Sequence, residues 1–313
     1  MVHCNFSQNA ATYGGAVVAG GLSKVELVSS IVTRTQGQYG SIFVREAGQI
    51  KLLDSTCANN SADYGGCIYM IARTQVIVEG SVLAGNKAVY GGAAVVEDAS
   101  NLAVSGNSSV LQNTAQYAGG LFAHARSRVA VLDSLIASNT ADGEGGGALV
   151  GQTATMTGTN TVWRSNRAKQ GAALCGQDSA VAVMDSSQVI SNTASVHGGG
   201  LAVKQNASFT VSNSSLTGNS APIGGAIVAE DAARVVLGNG TRILGNAAVT
   251  CAGFAVRDAA MLNLSSSSLV SQNAASGTGG GGCVHGAAAL VVSSDSQTDW
   301  DVSAASWWLV FEL

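Results

Sequence analysis

Leu216-Thr217-Gly218-Asn219-Ser220-Ala221-Pro222-Ile223-Gly224-Gly225-Ala226-Ile227 is one copy of a unit that fills the chain. Its asparagine returns every 25–27 residues, at Asn9, Asn60, Asn86, Asn113, Asn139, Asn166, Asn192, Asn219, Asn246 and Asn273, with Thr35 in the one gap. Three residues before it stands an apolar side chain in every copy, from Phe6 to Val270, and two after it an alanine, with Gly37 as the exception. A serine or threonine stands five before it, broken only by Cys4, and a glycine pair follows about five after. A period of this length means a solenoid, in which each copy is one structural unit stacked on the next.

Within a copy the apolar residues alternate with polar ones, as in Val25-Glu26-Leu27, Ile50-Lys51-Leu52 and Phe209-Thr210-Val211. Period two means strand. Each copy offers about three short strands between turns rich in Gly, Ser, Asn and Asp, and no stretch has helical periodicity. A leucine-rich repeat is excluded because the fixed positions are Ser, Asn, Ala and Gly-Gly, not leucine. The expected fold is all-β, a right-handed single-stranded parallel β-helix of the pectin-lyase-like kind. Its eleven coils of 25–27 residues would stack ~4.8 Å apart into a rod of roughly 50 Å. A second bulky apolar column is expected at Val17, Phe43, Ile68, Phe122, Leu149, Leu174, Leu201, Ile227 and Phe254. The asparagines read as a buried ladder, each amide bonding the next coil, because a buried amide without partners costs ~1–3 kcal/mol per missing bond.

The coupled motifs Phe6-Ser7-Gln8-Asn9 with Gly14-Gly15-Ala16-Val17, Cys57-Ala58-Asn59-Asn60 with Gly65-Gly66-Cys67-Ile68, and Leu216-Thr217-Gly218-Asn219 with Gly224-Gly225-Ala226-Ile227 resemble the FxxN and GGA(I/L/V) repeats of chlamydial polymorphic outer membrane proteins. The likeness spans residues 4–285. It implies the surface-exposed passenger of an autotransporter adhesin. The chain departs from that pattern in having phenylalanine only at Phe6, in the altered Gly171-Ala172-Ala173-Leu174 and Ala252-Gly253-Phe254, and in showing no membrane β-barrel after the repeats.

Residues 1–285 read as one repeat domain, and 286–313 as an irregular C-terminal segment or partial cap ending in Trp307-Trp308-Leu309-Val310-Phe311. Met1-Val2-His3-Cys4-Asn5-Phe6 enters in the last third of a coil without a secretion signal, so further repeats are expected upstream. Only 11% of residues are charged and the net charge is −4, with the arginines spread along the chain. Nucleic acid is therefore not an expected partner. No apolar run is long enough to span a bilayer as a helix.

Asn5, Asn59, Asn107, Asn206, Asn213, Asn239 and Asn263 begin N-x-S/T sequons, and no ladder asparagine does. Serine-rich turns produce such sequons automatically; a secreted protein glycosylated on its turns produces them too. Of the cysteines, Cys57 and Cys67 share a coil and can pair. Cys4, Cys175, Cys251 and Cys283 are placed at least two coils apart, beyond the ~7 Å Cα limit of a bridge. No CxxC pair or Cys/His cluster is expected, and no cofactor is implied.

Enzymes on this fold need carboxylates gathered on neighbouring coils. The acidic column Glu46, Asp98, Asp178, Asp231 and Asp258 has only Asp231 and Asp258 on adjacent coils, a weak calcium candidate beside the plainer reading of solvated turns. His124, His197 and His285 are placed at different positions in their coils, without carboxylate partners, and no catalytic residues are assigned. The directional feature is aromatic: Tyr13, Tyr39, Tyr64, Tyr90 and Tyr117 recur four residues after the ladder position in five consecutive coils, continued by Gly143, Gln170, Val196, Ile223, Thr250 and Gly277. Such a row either stabilises the turn by stacking or forms a strip for a glycan or protein partner. The expected function is a non-enzymatic extracellular module for adhesion or rigid display within a larger protein; the alternative is a polysaccharide-active enzyme resembling pectate lyases or polygalacturonases.

Overall fold

The computed structural model describes residues 1–293, and beyond them the backbone of the strands Gln297–Thr298, Val302–Ala304 and Leu309–Glu312. Among the described residues there is no helix, and the strands form a parallel β-solenoid of about eleven turns. Three sheets of twelve strands run its length. The first starts at Asn5–Ser7, the second at Val17–Ala19 and the third at Lys24–Val28. A fourth ladder, starting at Ala10–Tyr13, lies between the first and second sheets and is carried through Ser61 and Tyr64 by isolated bridges before eight further strands. The three strands beyond residue 293 are the twelfth and last of the first, second and third sheets, each paired with the strand one coil before. The Trp307-Trp308 pair of the expected cap lies outside the described residues.

Register follows the repeat. Val32 pairs with Cys57, Cys57 with Leu83, and so on to Ile243 with Val270, all buried. Large side chains fit where the neighbouring coil supplies small ones. A Cβ on Gly176 would stand 2.2 Å from the Phe209 ring, and one on Gly282 would stand 2.4 Å from that of Phe254. Fully buried Trp163 keeps its indole N–H satisfied by donating to Thr161 Oγ1 at 2.8 Å.

The ladder is continuous from Thr35 to Asn273. Asn113, for example, donates both its backbone N–H and its Nδ2 to Asn139 Oδ1, each at 3.0 Å, and its Nδ2 also reaches the carbonyl of Leu83. Every coil thereby fixes the height of the next. The serine column does the same at the opposite end of the first-sheet strands: Ser55 N–H donates to Ser81 Oγ at 2.9 Å. Both columns sit at corners where the chain leaves its sheet and would otherwise strand an amide. At the glycine pair, Gly65 takes φ +60°, and a Cβ there would meet the Ile68 carbonyl oxygen at 1.9 Å.

Two expectations need correction. The second bulky column is two columns. Val17, Ile42, Ile68 and Leu121 point into the core, whereas Phe43, Phe122 and Leu149 are one residue further along their strands and point outward. These strands are apolar on both faces and buried throughout, so reading the bulkiest residue of each copy mixes the two columns. The separation of Cys251 and Cys283 is also overturned: they lie on adjacent coils with Cα atoms 5.2 Å apart and form a disulfide, while Cys57 and Cys67, within one coil, pair at 6.1 Å.

Candidate functional site

The outward residues of the second sheet are covered by the fourth ladder, so a second apolar layer builds up outside the sheet. Phe43, Tyr69, Val95, Phe122 and Leu149 form its bed, and Tyr39, Tyr64, Tyr90 and Tyr117 lean on it. The five tyrosines stack, with ring centroids 5.0 Å apart for Tyr13 and Tyr39 and 5.4–5.5 Å for each following pair. Tyr13 is 54% exposed and the other four are half-buried, leaving a ribbon of ring surface along five coils. Beneath it Phe43 and Tyr69 stack at 5.6 Å, and Tyr69 donates its hydroxyl to Glu97 Oε2 at 2.9 Å. Burial, then the charge and hydrogen bond of Glu97, drive the Tyr69 phenol well above its ordinary range. Burial likewise raises Tyr64, with its tyrosine neighbours adding to it.

Beyond Tyr117 the row continues through residues other than those expected. Ala118 N–H donates to Glu144 O, Glu144 bridges Gln170, Gln170 pairs with His197, and His197 with Ile223. Glu144, His197 and Thr278 thus replace Gly143, Val196 and Gly277. Each of these three coils has one extra residue before its turn glycine, absorbed by a local irregularity in the ladder. Counting back from that glycine, instead of forward from the asparagine, finds all three.

These positions meet a second line of residues, the first after each second-sheet strand, which includes Glu97, His124, Lys204, Glu230, Arg257 and His285. Two of the histidines therefore share one position, against expectation, and two have carboxylates nearby. His124 Nδ1 lies 3.9 Å from Glu97 Oε1. Lys204 pairs with Glu144, and Arg257 pairs with Glu230 while lying 3.1 Å from His197 Nδ1. Cys175 is fully buried beside this cluster. Burial pushes its thiol up to about 12; Lys204 opposes the shift, and Glu144 and Glu230 add to it. Burial pulls Lys204 down, but Cys175, Glu144 and Glu230 outweigh it, so its ammonium is held above the usual value. The surface along this ladder therefore changes along the rod from an aromatic ribbon to a set of ion pairs.

The remaining sequence candidates are distributed elsewhere. Asp231 Oδ2 accepts the backbone N–H of Gln205 at 3.0 Å, and Asp258 Oδ2 accepts that of Asp231 at 3.3 Å, so both carboxylates face the preceding coil. Asp98, Asp178, Asp231 and Asp258 all adopt φ between +50° and +65° in a tight turn. Asn5, Asn59, Asn107, Asn206, Asn213 and Asn239 are exposed, and Asn263 is half-buried. A Cys/His cluster does occur: Cys251, Cys283 and His285 bring their ligand atoms within 4.8 Å of one another. Its two sulfurs are committed to the disulfide. Among the described residues no helix is long and apolar enough to cross a membrane.

No family model, no curated protein and no solved structure matches this chain.

Proposed function

We propose that this protein is a non-enzymatic β-helical rod of the cell surface or the secreted space, whose aromatic ribbon holds a glycan or protein partner. The observation that carries this reading is the stack of Tyr13, Tyr39, Tyr64, Tyr90 and Tyr117 over the Phe43–Tyr69 bed. Rings already fixed by neighbours lose little rotamer freedom on binding and present flat apolar area with a polar edge, the surface that sugar rings and interface side chains pack on. An extracellular location is supported by two disulfides, which persist in oxidising compartments, and by exposed sequon asparagines. The FxxN/GGA-like repeats support an adhesive use. We take the coil to be right-handed, as parallel strand crossovers almost always are.

The test is a glycan-array screen of the purified chain beside a reducing-end release assay on the same polysaccharides. Binding that disappears in a Tyr64→Ala/Tyr90→Ala variant, with no release, supports the reading. Binding untouched by that variant overturns the role of the ribbon. A polysaccharide-active enzyme is favoured only by the cluster of Glu144, Glu230 and His197 further along the same face, and release of reducing ends lost in Glu144→Gln or Glu230→Gln would establish it in place of the rod.

A further inference from the structure

The corner between the second and third sheets gathers Arg126 and Arg128 of one coil with Arg73 of the coil two before it. Gln75, Asn101 and Arg128 pair across three successive coils. The residues two before them, Arg73, Ala99 and Arg126, therefore occupy one turn position, with Ala99 in the middle coil. Two strand spacings put the backbones of Arg73 and Arg126 about 10 Å apart. Together with Ala72, Asp98, Asn101 and Arg128 they enclose a cleft of about 520 Å³. The alanine is what makes it a cleft: a long side chain at 99 would fill the gap between the arginines.

All three arginines are exposed, and among the described residues none takes part in an ion pair. Asp98 is also uncommitted. In the same turn position Asp178, Asp231 and Asp258 each accept a backbone N–H from the preceding coil, whereas the Asp98 carboxylate accepts none among the described residues. The cleft thus offers guanidinium forks on both rims, the geometry that matches carboxylate and sulfate, and a free acceptor on its floor. A dense polyanion such as nucleic acid would meet repulsion from Asp98. A ligand carrying an anionic group together with hydroxyl donors satisfies both.

We propose that the Arg73–Asp98–Arg126–Arg128 cleft is a binding site for an acidic saccharide. Arg73 and Arg126 grip its anionic groups along the rod axis, Arg128 supports the second of them, and Asp98 accepts a hydrogen bond from a ring hydroxyl. The site lies at a different corner from the tyrosine ribbon and does not depend on it.

The experiment is calorimetric titration of the full chain with oligogalacturonate, with dextran sulfate and poly-glutamate as comparison ligands. Each of Arg73→Gln and Arg126→Gln should weaken oligogalacturonate binding about tenfold or more, and the double variant should abolish it, with unchanged thermal midpoints because both residues are exposed. Tyr64→Ala/Tyr90→Ala should leave this binding intact, so that failure of the ribbon and failure of the cleft are told apart. Asp98→Ala should weaken oligogalacturonate binding while strengthening that of dextran sulfate, since dextran sulfate carries sulfate on most of its hydroxyls and gains more from losing the carboxylate than it loses in hydrogen bonds. The proposal is overturned by no wild-type binding, by arginine variants that bind like wild type, by Asp98→Ala tightening both ligands, or by poly-glutamate binding as well as the saccharide.

Discussion

The Nδ1 atom of His197 lies 3.1 Å from Nη2 of Arg257, whose guanidinium at the same time holds Glu230. A guanidinium can only donate, so Nδ1 must accept and the ring is neutral. Burial lowers its pKa first, the Arg257 charge lowers it further, and Glu230 opposes both. With the folded value below the ordinary ~6.5, the unfolded chain binds the proton more readily. The stability this histidine supports is complete above that ordinary value and falls as the pH drops through it toward the folded pKa. Thermal midpoints measured from pH 8 to pH 5 should decline on acidification, and His197→Gln should flatten part of that slope. A slope identical in the two proteins would show that the contact is not the source.

The ladder makes a position-dependent prediction. Asn139 Oδ1 accepts two bonds from Asn113, and Asn139 Nδ2 donates to Val110 O and to Asn166 Oδ1. Asn139→Ala leaves buried partners in both neighbouring coils unsatisfied, and at ~1–3 kcal/mol for each the loss should reach about 3 kcal/mol or more. Asn9 holds the same place in the repeat but is exposed, so Asn9→Ala should stay within about 0.5 kcal/mol. Urea midpoints measure both, and equal shifts would remove the ladder from the account of stability.

The repeat is legible because its buried columns tolerate few residue types. The Asn ladder, the alanine beside it and the apolar residue three before it all face a neighbouring copy of themselves, so the sequence displays the contact directly. Surface geometry is less legible because turns absorb insertions. Glu144 and His197 are displaced by one residue from the position that Tyr117 predicts, and that shift hides the ion pair of Glu144 with Lys204 and the contact of His197 with Arg257. Cys251 illustrates the same limit: it stands where most coils carry a glycine at positive φ, and only the stacked turn shows that Cys283 of the next coil lies within reach. Arg73 and Arg126 are 53 residues apart in the chain, yet two coils apart in space.

The cysteines should divide into three classes of reactivity. Cys4 is free and half-buried, Cys175 is free but fully buried with its thiol pushed up to about 12, and the other four are in disulfides. Iodoacetamide should label Cys4 alone in the native protein, Cys175 as well after unfolding, and the remainder only after reduction, as read by intact mass. Reduction should also lower stability by ~2–4 kcal/mol for each bridge lost. Rapid labelling of Cys175 at neutral pH in the native state would contradict its enclosure beside Lys204 and Glu144.

Two glycines with the same backbone conformation should respond differently to alanine. Gly65 and Gly240 have φ of +60° and +72°, so a Cβ at either incurs the left-handed penalty of ~1–2 kcal/mol. At Gly240 nothing lies within 4 Å of the added carbon, and that penalty should be the whole effect. At Gly65 the carbon would also stand 1.9 Å from the Ile68 carbonyl oxygen, so the strand carrying Ile68 has to move. That strand carries Tyr69 and abuts Tyr64, so Gly65→Ala should both exceed the Gly240→Ala loss in thermal midpoint and disturb the stacked rings, read as a change in near-ultraviolet circular dichroism. If both variants melted together with unchanged aromatic spectra, close packing at the glycine pair would not be what positions the ribbon.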